Sequence, residues 1–275
     1  MFGDIRPAPA SYPAGMTFFP DASKERHDME LFSTIIPQVR SFMEGHGASR
    51  TWQDNPARPW PGARGRNIVL KEDTGLELGS PDKESLSCLL WTEDLSLITD
   101  SRITLLGPDF AESASESLAF GKVVLLGVQG FDEDNAYDRH KDLDFLRYDL
   151  DLKGFMMRAV SQYMREWCRI SHEALREGFS AQVLGTELMR LFRRMPYVAS
   201  IEVLFVTTSK EDVLRLKEIT ASAERIIAAM NKMAAEFDYD CASCDYQEVC
   251  DEADGLRSMR ERLMKDGSAR EAAHG

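Results

Sequence analysis

The sequence predicts an α/β or α+β fold in which a mixed sheet is flanked by helices. Short apolar runs bounded by Gly, Pro, Asp and Ser are typical of buried strands, and several occur in the first half of the chain. Longer segments repeat apolar residues at spacings of three and four, which indicates helices. Strands and helices do not alternate strictly, so a purely parallel sheet is not favoured.

The first third of the chain is irregular in pattern. Residues 27–45 predict a short helix, which Pro37 is expected to kink or to end at the residue before it. Residues 54–66 contain three prolines and two glycines, a composition typical of a linker. Trp52 precedes this linker and Trp60 lies within it, and we expect their rings to dock it on the core.

The core is expected to span residues 66–237, between an N-terminal extension and linker (1–65) and a C-terminal cysteine segment with a short helix and tail (238–275). The apolar runs that predict its strands are 67–70, 87–91, 95–99, 102–107, 122–130 and 200–208.

Three helices are predicted in this core. One apolar stripe runs from Leu143 to Trp167, with Gly154 as its weak point. A second helix covers 180–195. A third, long helix begins after Ser209, which can cap it with an acidic residue three positions on.

The charge balance limits the function. The chain has 275 residues with 33 Lys and Arg against 46 Asp and Glu, a net charge of -13. Such a surface repels nucleic-acid backbones and anionic lipid. No apolar run approaches the ~20 residues of a membrane span, and the first residues do not have the pattern of a secretory signal. We therefore expect a cytoplasmic protein without nucleic-acid or membrane partners.

Three of the five cysteines fall within ten residues, at Cys241, Cys244 and Cys250. Clustered thiolates in a cytoplasmic protein favour a metal site over a disulfide framework. Soft sulfur ligands select iron–sulfur clusters or zinc, and zinc sites usually take a second pair of ligands that is not evident here. A [4Fe-4S] cluster is therefore favoured, with zinc as the alternative. Cys168 is the candidate for a remote fourth ligand, and Cys88 is a further remote cysteine.

A second candidate is a set of arginines around a tryptophan. If 143–167 and the following residues are helical, Arg158, Arg165 and Arg169 fall on one face beside Trp167. Guanidinium groups suit phosphate, and an indole can stack on an adenine or cover a pantetheine arm. The simpler interpretation, from pattern alone, is a solvated face whose arginines pair with nearby acids.

Four segments, read in order, resemble the middle domain of acetyl-CoA synthase, the beta subunit of the carbon monoxide dehydrogenase/acetyl-CoA synthase complex. They are "LKEDTGLELGSP" (70–81), "DSRITLLGPDF" (100–110), "WCRISHEALREGFSAQVLG" (167–185) and "YVASIEVLFVTTSKEDV" (197–213). That family makes acetyl-CoA from carbon monoxide, a corrinoid-borne methyl group and CoA at a nickel–nickel–[4Fe-4S] cluster.

The resemblance implies roles for the candidate residues. Cys241, Cys244 and Cys250 stand where the cluster-binding region of the family begins, although the family's fourth cubane cysteine, its later Cys-x-Cys and its C-terminal catalytic domain have no match. Trp167 and Arg169 match a family motif that is implicated in CoA binding.

We therefore predict an iron–sulfur protein with a binding or electron-transfer role in anaerobic one-carbon or corrinoid metabolism. Its expected partner is a corrinoid protein, a ferredoxin or a carbon monoxide dehydrogenase-like subunit. The alternatives are a CoA-binding enzyme that transfers acyl or methyl groups at an open metal site, and a zinc-stapled interaction protein. No catalytic residues are evident in the sequence.

Overall fold

A computed structural model describes residues 30–47, 49–65, 67–160, 164–235, 245–253, 255–256, 258–259 and 262. Its strands are β1 (Ser49–Gln53), β2 (Thr74–Leu78), β3 (Ser85–Thr92), β4 (Arg102–Leu106), β5 (Ser117–Leu118), β6 (Phe120–Val128), β7 (Phe155–Val160), β8 (Glu166–Ser171) and β9 (Val198–Val206). Its α-helices are α1 (Ile35–Glu44), α2 (Ala136–Leu146), α3 (His172–Glu177), α4 (Ala181–Phe192), α5 (Lys210–Ala235) and α6 (Gln247–Glu252).

The strands form two mixed sheets, which confirms the predicted fold class. The larger sheet has the order β1-β4-β9-β6-β3, so the late strand β9 lies at its centre. β9 runs parallel to β4 and antiparallel to β6, and β3 runs parallel to β6 at one edge. The smaller sheet has the order β5-β2-β8-β7, with β8 antiparallel to both of its neighbours.

Helices cover both faces of the larger sheet. Gly121 on β6 leaves room for Leu216 of α5, against which α1 also packs. On the opposite face, Gly185 of α4 lies against Ile103 of β4, and an added methyl group there would come within 2.9 Å of that side chain. α4 and α5 therefore pack on opposite sides of the five strands.

Most of the predicted elements are confirmed. Strands occur at 87–91, 102–107, 122–130 and 200–208, within a residue or two at their ends. The helix predicted at 180–195 is α4. The cap predicted for the long helix is also present, because the Asp212 amide donates to the Ser209 hydroxyl at 3.1 Å.

Two apolar runs predicted as strands are not strands. Residues 67–70 have no regular structure, and Ile68 and Leu70 point into solvent. Residues 95–99 contain a 3-10 helix at Leu95–Leu97, which begins where the Asp94 carboxylate accepts from the Ser96 amide. A local cap of this kind competes with strand pairing.

The helix predicted through Leu143 and Trp167 is also wrong. α2 ends at Leu146, and the chain then forms β7 and β8, which pair with each other. Gly154 adopts a φ of 73°, a left-handed conformation that ends helical continuity. β8 pairs with β2 and β7, so pairing between distant segments, and not the local apolar spacing, decides the structure of this region.

Pro37 does not end α1. The helix begins at Ile35, so the proline lies in its first turn, where backbone amides have no partner within the helix. The linker, in contrast, docks as expected: the Trp60 ring packs edge-on against Phe179, and its Nε1 donates to the Lys153 carbonyl at 2.9 Å. Among the described residues, no helix combines the length and apolar character that a membrane crossing requires.

Candidate functional site

Trp167 lies on the face of the smaller sheet that points away from the larger one. It is on β8, whose alternate residues Glu166, Cys168 and Ile170 point into the core. The Trp167 ring is only partly buried, whereas its Nε1 is buried and has no hydrogen-bond partner in the described part of the chain. A buried N–H without an acceptor is costly, so this group is available to a ligand.

Two guanidinium groups lie against the Trp167 indole. The centre of the Arg158 guanidinium is 4.7 Å from the ring centroid, and that of Arg169 is 5.6 Å away. Arg169 is fixed, because its Nε donates to Glu77 at 2.7 Å from the neighbouring strand β2. Arg158 is exposed, and the ring is its one described contact. We call Arg158, Trp167 and Arg169 the Trp167 cluster.

An apolar border adjoins this cluster. The Val69 amide contacts the Met156 sulfur at 3.3 Å, and Met156 stands opposite Arg169 in the β7–β8 ladder. On either side of buried Val69, Ile68 is 74% exposed and Leu70 is 52% exposed. The segment that failed to form a strand therefore exposes two apolar side chains, and its Val69 lies against the residue that pairs with Arg169.

The structure brings together three of the four predicted residues of this site. They meet across a β-hairpin, not along a helix, so the helical face predicted for them is wrong while their proximity is confirmed. Arg165 is held elsewhere: its Nη2 donates to the Lys83 carbonyl at 3.0 Å. The sequence patterns did not identify Glu77. The only indication of its role was its position as a charged residue between apolar residues of a strand.

Behind β8, a buried ion pair joins the two sheets. Lys122 of β6 and Glu166 of β8 are almost completely buried, and their Nζ and Oε2 atoms are 2.5 Å apart. Burial alone would raise the pKa of Glu166, but the Lys122 charge and hydrogen bonds outweigh it and lower that pKa. No pattern in the sequence pointed to this pair.

Cys168 lies in the same buried region. Its sulfur is 3.4 Å from Glu166 Oε1, and burial together with this carboxylate raises the pKa of the thiol well above its usual value. Cys88 is also buried, and burial raises its pKa to about 12. Both environments favour the neutral thiol over the thiolate that metals bind.

The cysteine segment is described only in part. Cys250 is 4% exposed and lies on α6, which packs against α5. Cys241 and Cys244 lie outside the described residues, between α5 and α6 in the sequence. Within the described residues, no group of three or more His, Cys, Asp or Glu side chains converges as a metal site.

Comparison with known proteins gives a consistent match. A family model described as the CO dehydrogenase/acetyl-CoA synthase complex beta subunit matches residues 62–213. Acetyl-CoA decarbonylase/synthase complex subunit beta 1 of Methanosarcina mazei is 25% identical over 184 residues, which is 64% of this chain and 38% of the relative. Subunit beta 1 of Methanosarcina thermophila is 26% identical over 185 residues, with the same shares. The chain thus spans less than two fifths of these relatives.

Proposed function

Because this chain belongs to the family of the CO dehydrogenase/acetyl-CoA synthase complex beta subunit, we propose that it binds CoA at the Trp167 cluster. The observation that carries this proposal is the Trp167 indole: its buried Nε1 has no acceptor within the described residues, and two guanidinium groups lie against its ring. The relatives are named as subunits of an acetyl-CoA decarbonylase/synthase complex. CoA is therefore a ligand that fits both the chemistry of the site and the family.

The chemistry of CoA matches the parts of the site. Its phosphates suit Arg158, which is exposed and has no carboxylate partner among the described residues. Its adenine or pantetheine arm can contact the Trp167 ring, and a carbonyl or phosphate oxygen can accept from the indole N–H. Ile68 and Leu70 offer an apolar surface for the rest of the molecule. Arg169 is neutralised by Glu77 and positions the ring.

Calorimetric titration with CoA tests this proposal. Trp167→Ala and Arg158→Gln should each weaken CoA binding about tenfold, because each removes a stacking surface or a charge-assisted hydrogen bond. Arg215→Gln, an exposed arginine on α5, should leave the affinity unchanged. Absence of CoA binding, or equal affinity in all three variants, would overturn the proposal. Circular dichroism confirms that each variant is folded.

A second proposal concerns the cysteine segment. We propose that Cys241, Cys244 and Cys250 hold a [4Fe-4S] cluster, which would give the protein a binding or electron-transfer role. The observation in its favour is that α6, which carries Cys250, packs against α5, the helix that precedes Cys241 and Cys244 in the sequence. Recruiting Cys168 would require a thiolate beside the Glu166 carboxylate. A partner or a small molecule is therefore the better source of the fourth ligand.

Metal and sulfide analysis of anaerobically purified protein tests the cluster. About four irons with matching sulfide, lost in Cys250→Ser, are expected for a cubane. One zinc per chain in a colourless solution would contradict the cluster and indicate a structural zinc site instead. The two proposals are independent, since CoA titration of the metal-free protein reports only on the Trp167 cluster.

We further propose that the protein works inside a complex of anaerobic one-carbon metabolism. The named relatives are complex subunits, and the described residues offer binding groups without an evident acid–base or nucleophilic set. A corrinoid protein, a ferredoxin or a carbon monoxide dehydrogenase-like subunit would be the partner. Co-purification of the tagged chain with one of these from its native host would support this placement.

A further inference from the structure

A second cleft lies where edge strand β3 faces α2 and α5, and no residue of the Trp167 cluster lines it. Its volume is about 740 Å3, within the usual range for small-molecule sites. Ser87 and Leu89 of β3 form its floor, and α2 and α5 form its two walls. Ser87, Leu89, Asp144 and Arg147 also line a smaller chamber of about 20 Å3 beneath it, roughly the room of one water molecule.

Two hydrogen-bond donors in this cleft have no acceptor among the described residues. Arg147 bonds Asp144 through Nη2 at 2.7 Å, but its buried Nε has no partner in the described part of the chain. The His140 Nδ1 accepts from the Trp91 indole at 3.2 Å, which leaves the ring proton on Nε2. Burial lowers the pKa of His140 to about 4, so the ring is a neutral donor near pH 7. His140 and Arg147 are seven residues apart and share one face of the helical segment.

The rest of the lining is amphipathic. Charged side chains around the cleft are three cations and two carboxylates, namely Lys141, Arg147, Arg225, Asp144 and Glu224. The apolar wall is formed by Leu89, Phe145, Met164, Ile227, Ala228 and Tyr246. Phe145 is 60% exposed at the rim, and its ring centroid lies 6.0 Å from that of Tyr148.

We propose that this cleft binds an organic monoanion, a carboxylate with an apolar or aromatic body. The carboxylate would accept from Arg147 Nε and His140 Nε2, and the body would lie along the apolar wall toward Phe145. A monoanion is favoured over a phosphate dianion because Asp144 lies beside Arg147 and would repel the second charge. This site is separate from the CoA proposal and does not depend on it.

Naphthalene-1-acetate is a suitable probe, because it has a carboxylate and a flat aromatic body. Calorimetry should show saturable one-site binding to the full chain. Naphthalene-1-acetamide, the neutral isostere, should bind at least about tenfold more weakly, since it loses the charge-assisted hydrogen bonds. Inorganic phosphate should not compete. Equal binding of acid and amide, or no saturation, would overturn the proposal.

Two variants locate the probe. Arg147→Gln should weaken naphthalene-1-acetate binding about tenfold, and Phe145→Ala about threefold through lost apolar contact. Phe145 is at the rim, so its replacement should leave folding intact and keep the test decisive if Arg147→Gln is unstable. Arg176→Gln on α3, outside the cleft, should bind as the unaltered chain does.

The indole N–H resonance of Trp91, identified with Trp91→Phe, should move on titration with naphthalene-1-acetate because its acceptor is His140. An unmoved resonance, or unchanged affinity in both cleft variants, would exclude this site.

Discussion

Glu202 is a fully buried carboxylate on the central strand β9, and donors from three other parts of the chain surround it. Arg40 of α1 reaches its Oε2 at 2.5 Å, and Arg102 of β4 reaches its Oε1 at 2.6 Å. The Thr99 amide also donates to Oε2 at 3.0 Å. A buried charge is tolerated when it is paired and hydrogen-bonded in this way. Glu202 therefore ties α1 and the turn before β4 to the middle of the sheet.

Replacing Glu202 with Gln should lower the free energy of unfolding by about 1–3 kcal/mol, because the three hydrogen bonds that its carboxylate accepts from Arg40 and Arg102 lose their charge assistance. Urea unfolding followed by circular dichroism measures the change. Glu173→Gln is the matched control, since Glu173 pairs with Lys153 on the surface and should contribute nothing measurable. Equal effects of the two substitutions would show that burial of Glu202 is energetically unimportant.

The contribution of the Lys122–Glu166 pair to the stability of the protein should depend on pH. The direction of this pH dependence should reverse when Lys122 is replaced. In the intact protein the pKa of Glu166 is lowered, so its contribution is present above the unfolded value of about 4.3 and is lost as the pH falls through the folded pKa. In Lys122→Met the Lys122 charge is gone, so burial becomes the dominant influence on Glu166 and raises its pKa. The variant should then lose stability as the pH rises, with a deficit of about 3–5 kcal/mol at pH 7.

Urea unfolding of both proteins at pH 4.5, 6 and 8 measures this difference. Lys122→Met combined with Glu166→Gln leaves no charge at the site, so its stability should recover in part and the extra pH dependence should vanish. A deficit in Lys122→Met that stays constant across these pH values would contradict the assignment.

At the scale of elements, Gly154 decides where the β7–β8 hairpin begins. Its φ is 73°, and its carbonyl accepts from the Ser171 amide at 2.8 Å. An added methyl group would lie 2.6 Å from Ser171 Oγ and 2.7 Å from Ala174 Cβ. This turn positions β7, and therefore Arg158, against β8.

Gly154→Ala should destabilise the protein by about 2–3 kcal/mol, from left-handed backbone strain and overpacking together. Gly178→Ala is the matched control: its φ is 95°, but no atom of the described part of the chain lies within 4 Å of the added methyl group. It should cost only about 1 kcal/mol, from the backbone alone. If both variants lose equal stability in urea unfolding, the close approach of α3 to Gly154 adds no steric cost to the substitution.

The elements that the sequence predicted correctly are those with strong local signals. β6 and β9 are continuous apolar runs, and α4 and α5 keep a clear stripe with a serine cap. The failure at 143–167 has a different cause, because β7 and β8 exist through pairing with each other and with β2. Strand pairing between distant segments cannot be read from local spacing.

The same distinction explains the site. Trp167 and Arg169 are two residues apart on β8, so strand alternation places both on one face, whereas residues two apart on a helix do not face each other. The resemblance had singled out both residues. Arg158 was correctly expected beside Trp167, but the prediction assumed a helix where the structure has β7 and β8. The cleft residues His140 and Arg147 were not predicted, because their partners lie on β3 and α5 and no motif joins these segments.

At the scale of the whole molecule, the larger sheet depends on a strand that comes late in the chain. β9 fills the gap between β4 and β6, and these two strands have no other contact within that sheet order. A chain truncated after Met195 lacks this strand, so it should show no cooperative urea unfolding. A chain that ends after Arg262 should keep it. A cooperative transition in the shorter chain would mean that the first eight strands form a stable unit alone.

The central position of β9 also has a consequence during synthesis. β4 and β6 leave the ribosome well before β9, and at ~5–20 residues per second the interval lasts several seconds. During that time two long apolar strands expose unpaired edges, which are templates for aggregation. Soluble yield in a heterologous host should therefore depend on chaperones that shield nascent chains. Slowing translation lengthens the exposure and should reduce that yield.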